Sequence, residues 1–133
     1  KPGSIIEGDC TILIADDHTI FRDGLVAMLK EEPNLEVIGQ ADSGEQAIKL
    51  AKYYNPDIIL MDVDMPGVDG TEATKRLMQD MPDTCIIALS MLNDTQSITS
   101  IMKAGAKKYI SKDDPKDSLI NAIHEFSPLE NKT

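Results

Sequence analysis

Asp57-Ile58-Ile59-Leu60-Met61-Asp62 is the stretch on which the fold class turns. Its apolar run is too short for a helix and lacks the alternation of a half-exposed strand. A strand without polar interruption is one covered on both faces, as in a parallel sheet. Residues 11–15 (TILIA) and 85–89 (CIIAL) read the same way, and residues 36–40 and 108–111 give two further strands. Helix-length amphipathic segments lie between them. Residues 19–31 carry Ile20, Phe21, Leu25, Met28 and Leu29 at helical spacing. Ser43 and Gln46 form a capping box ahead of Ala47, Ile48, Leu50 and Ala51. Asp69 with Glu72 opens a third helix that runs to about Gln79. Residues 95–104 form a fourth, stopped by Gly105. Asp114 is expected to cap a fifth, with Pro115 in its first turn and its end near Phe126. Pro33-Asn34, Asn55-Pro56 and Pro82-Asp83 separate the units.

Five strand–helix repeats predict an α/β fold, a five-stranded doubly wound parallel sheet with helices on both faces. The length of 133 residues allows one domain. With 41% hydrophobic and 27% charged residues the chain is globular in composition. A domain near this size buries about 68–70% of its unfolded surface, so neither disulfides nor metal staples are needed. The formal net charge of -10 argues against nucleic-acid binding by this segment and against an anionic membrane surface. No apolar run spans a bilayer. Cys10 and Cys85 read as reduced thiols of a cytoplasmic protein.

In an open parallel sheet, chemistry collects beyond the carboxyl ends of the strands. Asp16 and Asp17 follow the first strand, Asp62 and Asp64 the third, Ser90 the fourth and Lys112 the fifth. If the first and third strands are neighbours, their carboxylates share one small volume. Each like-charged pair at ~4–5 Å then costs ~3–4 kcal/mol at an effective dielectric of ~20. Protonation, Lys112 or a cation must offset that. All-oxygen ligands favour Mg2+ or another hard cation. Mg2+ with a lysine and a hydroxyl receives a phosphoryl group well, and a carboxylate can act as its acceptor. His18 is expected as a loop or helix-start residue rather than a ligand.

The sequence resembles receiver domains of two-component response regulators, most closely the NarL/FixJ (LuxR-like) subgroup. The resemblance runs from Thr11 to about Phe126. It rests on Asp16-Asp17-His18, on Met61-Asp62-Val63-Asp64-Met65-Pro66-Gly67-Val68-Asp69-Gly70, on Ala88-Leu89-Ser90 and on the run from Ala104-Gly105 through Tyr109 to Ser111-Lys112. It implies a flavodoxin-like strand order, 2-1-3-4-5, with a tail at residues 1–10, the receiver at 11–126 and a tail or linker at 127–133. Asp62 would accept a phosphoryl group from a histidine kinase. Asp17 and Asp62 would bind Mg2+ through carboxylates, Asp64 through its carbonyl and Asp16 partly through water. Lys112 and Ser90 would contact the phosphate. Ser90 and Tyr109 would form the conformational switch. The family implies a phosphorylation-controlled module, not a turnover enzyme, with possible homodimerisation and transcriptional output through a DNA-binding domain outside this sequence.

Departures from the family pattern are local. Asp113 follows Lys112 where many receivers carry proline, so a trans bond is expected there. Met91 and Leu92 are bulky neighbours of Ser90. A haloacid-dehalogenase-like phosphatase with Asp62 as nucleophile and Asp64 as acid/base fits less well. That family's aspartate pair follows the first core strand, and Pro66 stands where Thr or Val is usual. A calcium loop starting at Asp62 fails because its fifth position is Pro66 and its twelfth Ala73.

Overall fold

The computed structural model describes residues 9–91 and 94–128. The sequence-expected tail residues 1–8 and 129–133, and Leu92 beside Ser90, lie outside the described residues. Strands β1 (Cys10–Ala15), β2 (Leu35–Ala41), β3 (Ile58–Asp62), β4 (Cys85–Ser90) and β5 (Lys108–Ser111) alternate with five helices. These are α1 (Thr19–Lys30), α2 (Gly44–Tyr54), α3 (Gly70–Asp80), α4 (Thr95–Ala104) and α5 (Lys116–Phe126). All strand pairs are parallel, in the order β2-β1-β3-β4-β5.

Period-two alternation sorts the apolar strand residues onto two layers. Leu13, Ile59, Met61 and Ile86 meet the alanines of α2 and α3 together with Leu77 and Ile101. Ile12, Ile14, Leu60 and Ile87 meet Leu25 and Leu29 of α1 and Leu119 and Ile123 of α5. Each β3 residue is buried, as its uninterrupted run predicts. Both cysteines are free thiols whose pKa burial pushes up to about 11, which leaves them unreactive at neutral pH.

At the amino ends of the strands, Thr11 and Asp57 lock β1 to the start of β3. Asp57 Oδ2 accepts from Thr11 N at 2.9 Å and Thr11 Oγ1 at 3.1 Å. Asp57 N donates back to Thr11 Oγ1 at 3.0 Å. Ile12 then lies opposite Ile58 and Ala15 opposite Met61.

Helix starts follow the expected chemistry with one correction. Ser43 accepts from Gln46 N, and Asp69 accepts from Glu72 N. Asp114 does not cap α5. Pro115 holds the N-cap position, and Asp114 Oδ2 accepts from Ser111 N at 3.1 Å. Its carboxylate turns back instead to the backbone N–H at the end of β5. The edges of the expected tails are also structured: Cys10 opens β1, and Ser127 is buried.

Candidate functional site

The winding direction reverses between β1 and β3. The chain leaves β1 toward the α1/α5 layer and leaves β3 toward the α2–α4 layer. A crevice opens where the two diverge. Asp62 is the last residue of β3, and Asp16 follows β1 directly. They are 2% and 0% exposed.

Backbone approach fixes the loop that carries Asp62 and Asp64. A Cβ at Gly70 would lie 2.0 Å from the Asp62 carbonyl oxygen, and one at Gly44 would lie 2.0 Å from the Val68 carbonyl oxygen. Only glycine lets the starts of α3 and α2 pack on the two ends of this loop. Gly70 N donates to Val63 O at 2.9 Å, which closes the turn.

Lys112 reaches the aspartates with its side chain 2% exposed. Its Nζ lies 2.8 Å from Asp16 Oδ2, 3.4 Å from Asp62 Oδ2 and 4.7 Å from the centre of the Phe21 ring. The loop behind it is braced by Asp113 N donating to Ser111 Oγ, and every described peptide bond is trans, Lys112–Asp113 included. Asp62 Oδ1 accepts from Asp64 N at 3.3 Å, and Asp16 Oδ1 from His18 N at 2.8 Å. Arg22 donates to the Asp16 carbonyl and to Gln40 Oε1, tying α1 to the end of β2.

Two carboxylates buried beside one ammonium leave an excess of negative charge. The pKa of Asp62 is accordingly pushed up to about 7, first by burial and then by the neighbouring Asp16 charge, with Lys112 and the Asp64 N–H pulling the other way. Asp16 Oδ2 and Asp62 Oδ2 are buried and share the Lys112 ammonium. Asp17 stands exposed beside them, and Asp16, Asp17, His18 and Asp62 each offer one ligand atom, all within 4.8 Å of one another. Oxygens of this number and charge fit a divalent cation.

The other expected site residues surround this cluster. Asp64 is exposed and lines a cleft of about 380 Å3 with Asp17, His18, Met65, Pro66 and Asp69. Ser90 ends β4 and is buried, with its carbonyl accepting from Lys112 N at 2.9 Å. Tyr109 lies outside the cluster, half-buried on β5 opposite Ala88 and packed on the α2–α4 layer. His18 is the helix-start residue expected, with its ring turned into the cluster, and two contributors were not foreseen: Phe21 beneath Lys112, and Arg22. The position of His18 next to the aspartate pair was the available signal, whereas nothing in spacing marks Phe21 or Arg22.

A family model described as the response regulator receiver domain matches residues 12–124. The transcriptional regulatory protein DegU of Brevibacillus brevis is 43% identical over 117 residues, which are 88% of this chain and 50% of that protein. The chain thus spans about half the length of the relatives it matches. The signal receiver domain of the putative response regulator NarL from Mycobacterium tuberculosis superposes with a TM-score of 0.84 at 27% identity, covering 88% of this chain and 94% of that one. The CheX-CheY-BeF3-Mg2+ complex from Borrelia burgdorferi gives a TM-score of 0.82 at 27% identity, covering 94% and 96%.

Proposed function

The chain belongs to the response regulator receiver domain family, and from that premise we propose that Asp62 is its phospho-acceptor, within a receiver unit at residues 11–126. A receiver domain is a phospho-accepting signalling module rather than a turnover enzyme. The observation that carries the assignment is the Asp62 carboxylate: buried, aimed at Lys112 and grouped with Asp16 and Asp17 at the strand ends.

The Asp64 N–H engages Asp62 Oδ1, and Oδ2 faces the Lys112 ammonium at 3.4 Å. One oxygen of the Asp62 carboxylate is the nucleophile. Its bond to phosphorus forms as the P–N bond of a phosphohistidine donor breaks, and the departing imidazole takes the electron pair. Asp16, Asp17, Asp62 and the Asp64 carbonyl would hold Mg2+, which when bound would supply positive charge to the phosphoryl oxygens. Lys112 turns its ammonium to one of those oxygens, and the Ser90 hydroxyl donates to another. The movement of Ser90 frees space on the β4–β5 surface, and Tyr109 turns inward to occupy it. The change is read out as homodimerisation or release of an output domain. That the DegU relative is a transcriptional regulatory protein supports transcriptional output through a DNA-binding domain outside this sequence. A histidine kinase is the donor by family membership.

Intact mass after incubation with acetyl phosphate and Mg2+ tests the assignment. The wild type should gain one phosphoryl group, and Asp62→Asn none. The Borrelia complex, which contains beryllofluoride and Mg2+, supports a second probe of the same site. If neither acetyl phosphate nor beryllofluoride labels the wild type, the assignment of Asp62 fails. If Tyr109→Ala leaves beryllofluoride-dependent association unchanged, Tyr109 is not part of the switch.

A further inference from the structure

The cluster contains one donor that an all-oxygen site does not require. His18 holds the N-cap position of α1, but its side chain makes no capping bond. Its Nδ1 turns instead into the carboxylate cluster. It lies 3.0 Å from Asp16 Oδ1, 3.4 Å from Asp17 Oδ1 and 3.6 Å from Asp62 Oδ2. Lys112 Nζ is 3.1 Å away. A lone pair on Nδ1 would accept from Lys112, whereas a proton there would donate to Asp16 Oδ1, so the tautomer decides which of the two contacts is a hydrogen bond. With the proton on Nε2, the Nδ1 lone pair faces three carboxylates, an arrangement that is favourable only with a cation between them. The ring is also 56% exposed, so it can adjust as an ion enters.

The distances fit one shared ion. Two ligands ~2.1 Å from an ion and at right angles about it lie ~3.0 Å apart. The Nδ1 separations of 3.0–3.6 Å are close to that edge length. Asp16 Oδ2 and Asp62 Oδ2 are buried in the same cluster and share the single Lys112 ammonium, which leaves negative charge in excess.

We infer that His18 Nδ1 is a nitrogen ligand of the divalent-cation site, so that the site favours borderline ions such as Mn2+, Co2+, Ni2+ or Zn2+ more than its carboxylates alone would. The inference rests on the reading that Asp16, Asp17 and Asp62 hold a divalent cation. Imidazole adds little for Mg2+, a hard ion that keeps oxygen ligands and water, and much for the later transition ions. The opposing possibility is that His18 is only a counter-cation, displaced when an ion binds.

Pulsed EPR on the Mn2+-loaded protein separates the two, because a ligating imidazole imprints 14N modulation on the electron-spin echo. The protein has two histidines, His18 and His124, so His124→Gln is the control. The modulation should appear in the wild type and in His124→Gln and vanish in His18→Gln. By calorimetry, His18→Gln should weaken Co2+ binding about tenfold or more and leave Mg2+ binding near the wild-type value. Mn2+ bound without nitrogen modulation, or an unchanged Co2+/Mg2+ preference in His18→Gln, would overturn the inference and leave the carboxylate site standing. Divalent binding that survives Asp17→Asn undiminished, or no divalent binding at all, would overturn both. The variants are compared only after matching circular-dichroism spectra and melts.

Discussion

At the scale of single residues, Asp16, Asp62 and Lys112 form a buried set with two negative charges and one positive. Removing the positive partner leaves both carboxylates without it. Lys112→Met is therefore expected to destabilise the chelated protein by ~3–5 kcal/mol near neutral pH, with part of the loss recovered on adding a divalent ion; urea unfolding in both conditions measures it. Asp62 gives a pH signature. Its folded pKa is raised to about 7 from an ordinary 3.8. A carboxyl raised in this way contributes its stability below the unfolded value and loses it as pH climbs through the folded one. Asp62→Asn cannot lose that contribution. Its stability relative to wild type should rise by a few kcal/mol between about pH 4 and pH 8 under chelation, and denaturant melts at both ends give the difference. A flat difference would mean that Asp62 titrates normally. Strand ends made Asp16, Asp17, Asp62 and Lys112 legible in the sequence. The direction of the His18 ring was not, because spacing fixes a helix-start position and leaves the side-chain torsion free.

At the scale of elements, the start of α3 sits directly on the last peptide of β3. Gly70→Ala would set a methyl 2.0 Å from the Asp62 carbonyl oxygen, against backbone that cannot swing aside. A loss of ~1–3 kcal/mol is expected, together with weaker beryllofluoride and divalent binding, because α3 can only relax by moving Asp62. Gly24 provides the contrast. It lies exposed in α1 with nothing within 4 Å of an added Cβ. Gly24→Ala should stabilise by ~0.5–1 kcal/mol and leave the site unchanged. Thermal melts beside binding curves for the two variants test the pair. The Ser43 and Asp69 caps were legible because the cap residue and its helix adjoin in sequence. Asp114 misled because its carboxylate bonds the N–H of Ser111, in the preceding strand, and leaves the N-cap position to Pro115.

At the scale of the whole molecule, strand periodicity gave the number of layers but could not order the strands. The neighbourhood of β1 and β3, on which the site depends, followed from family resemblance and not from any local pattern. The net charge of -10 is likewise a global property. Screening it should raise the melting temperature of the chelated protein as NaCl increases, while divalent affinity falls; a scan from low salt to about 0.5 M reads both. A melting temperature that falls with salt would show that local ion pairs outweigh self-repulsion. The Thr11–Asp57 lock has a further consequence at this scale. It stands five residues upstream of Asp62, ~17 Å away at the rise of a strand. Sliding β1 by one residue against β3 would carry Asp16 ~3.3 Å past Asp62, more than the length of a bond to a metal. The lock therefore works as a ruler whose zero mark lies at the far edge of the sheet: it calibrates the aperture between two acids that it never touches.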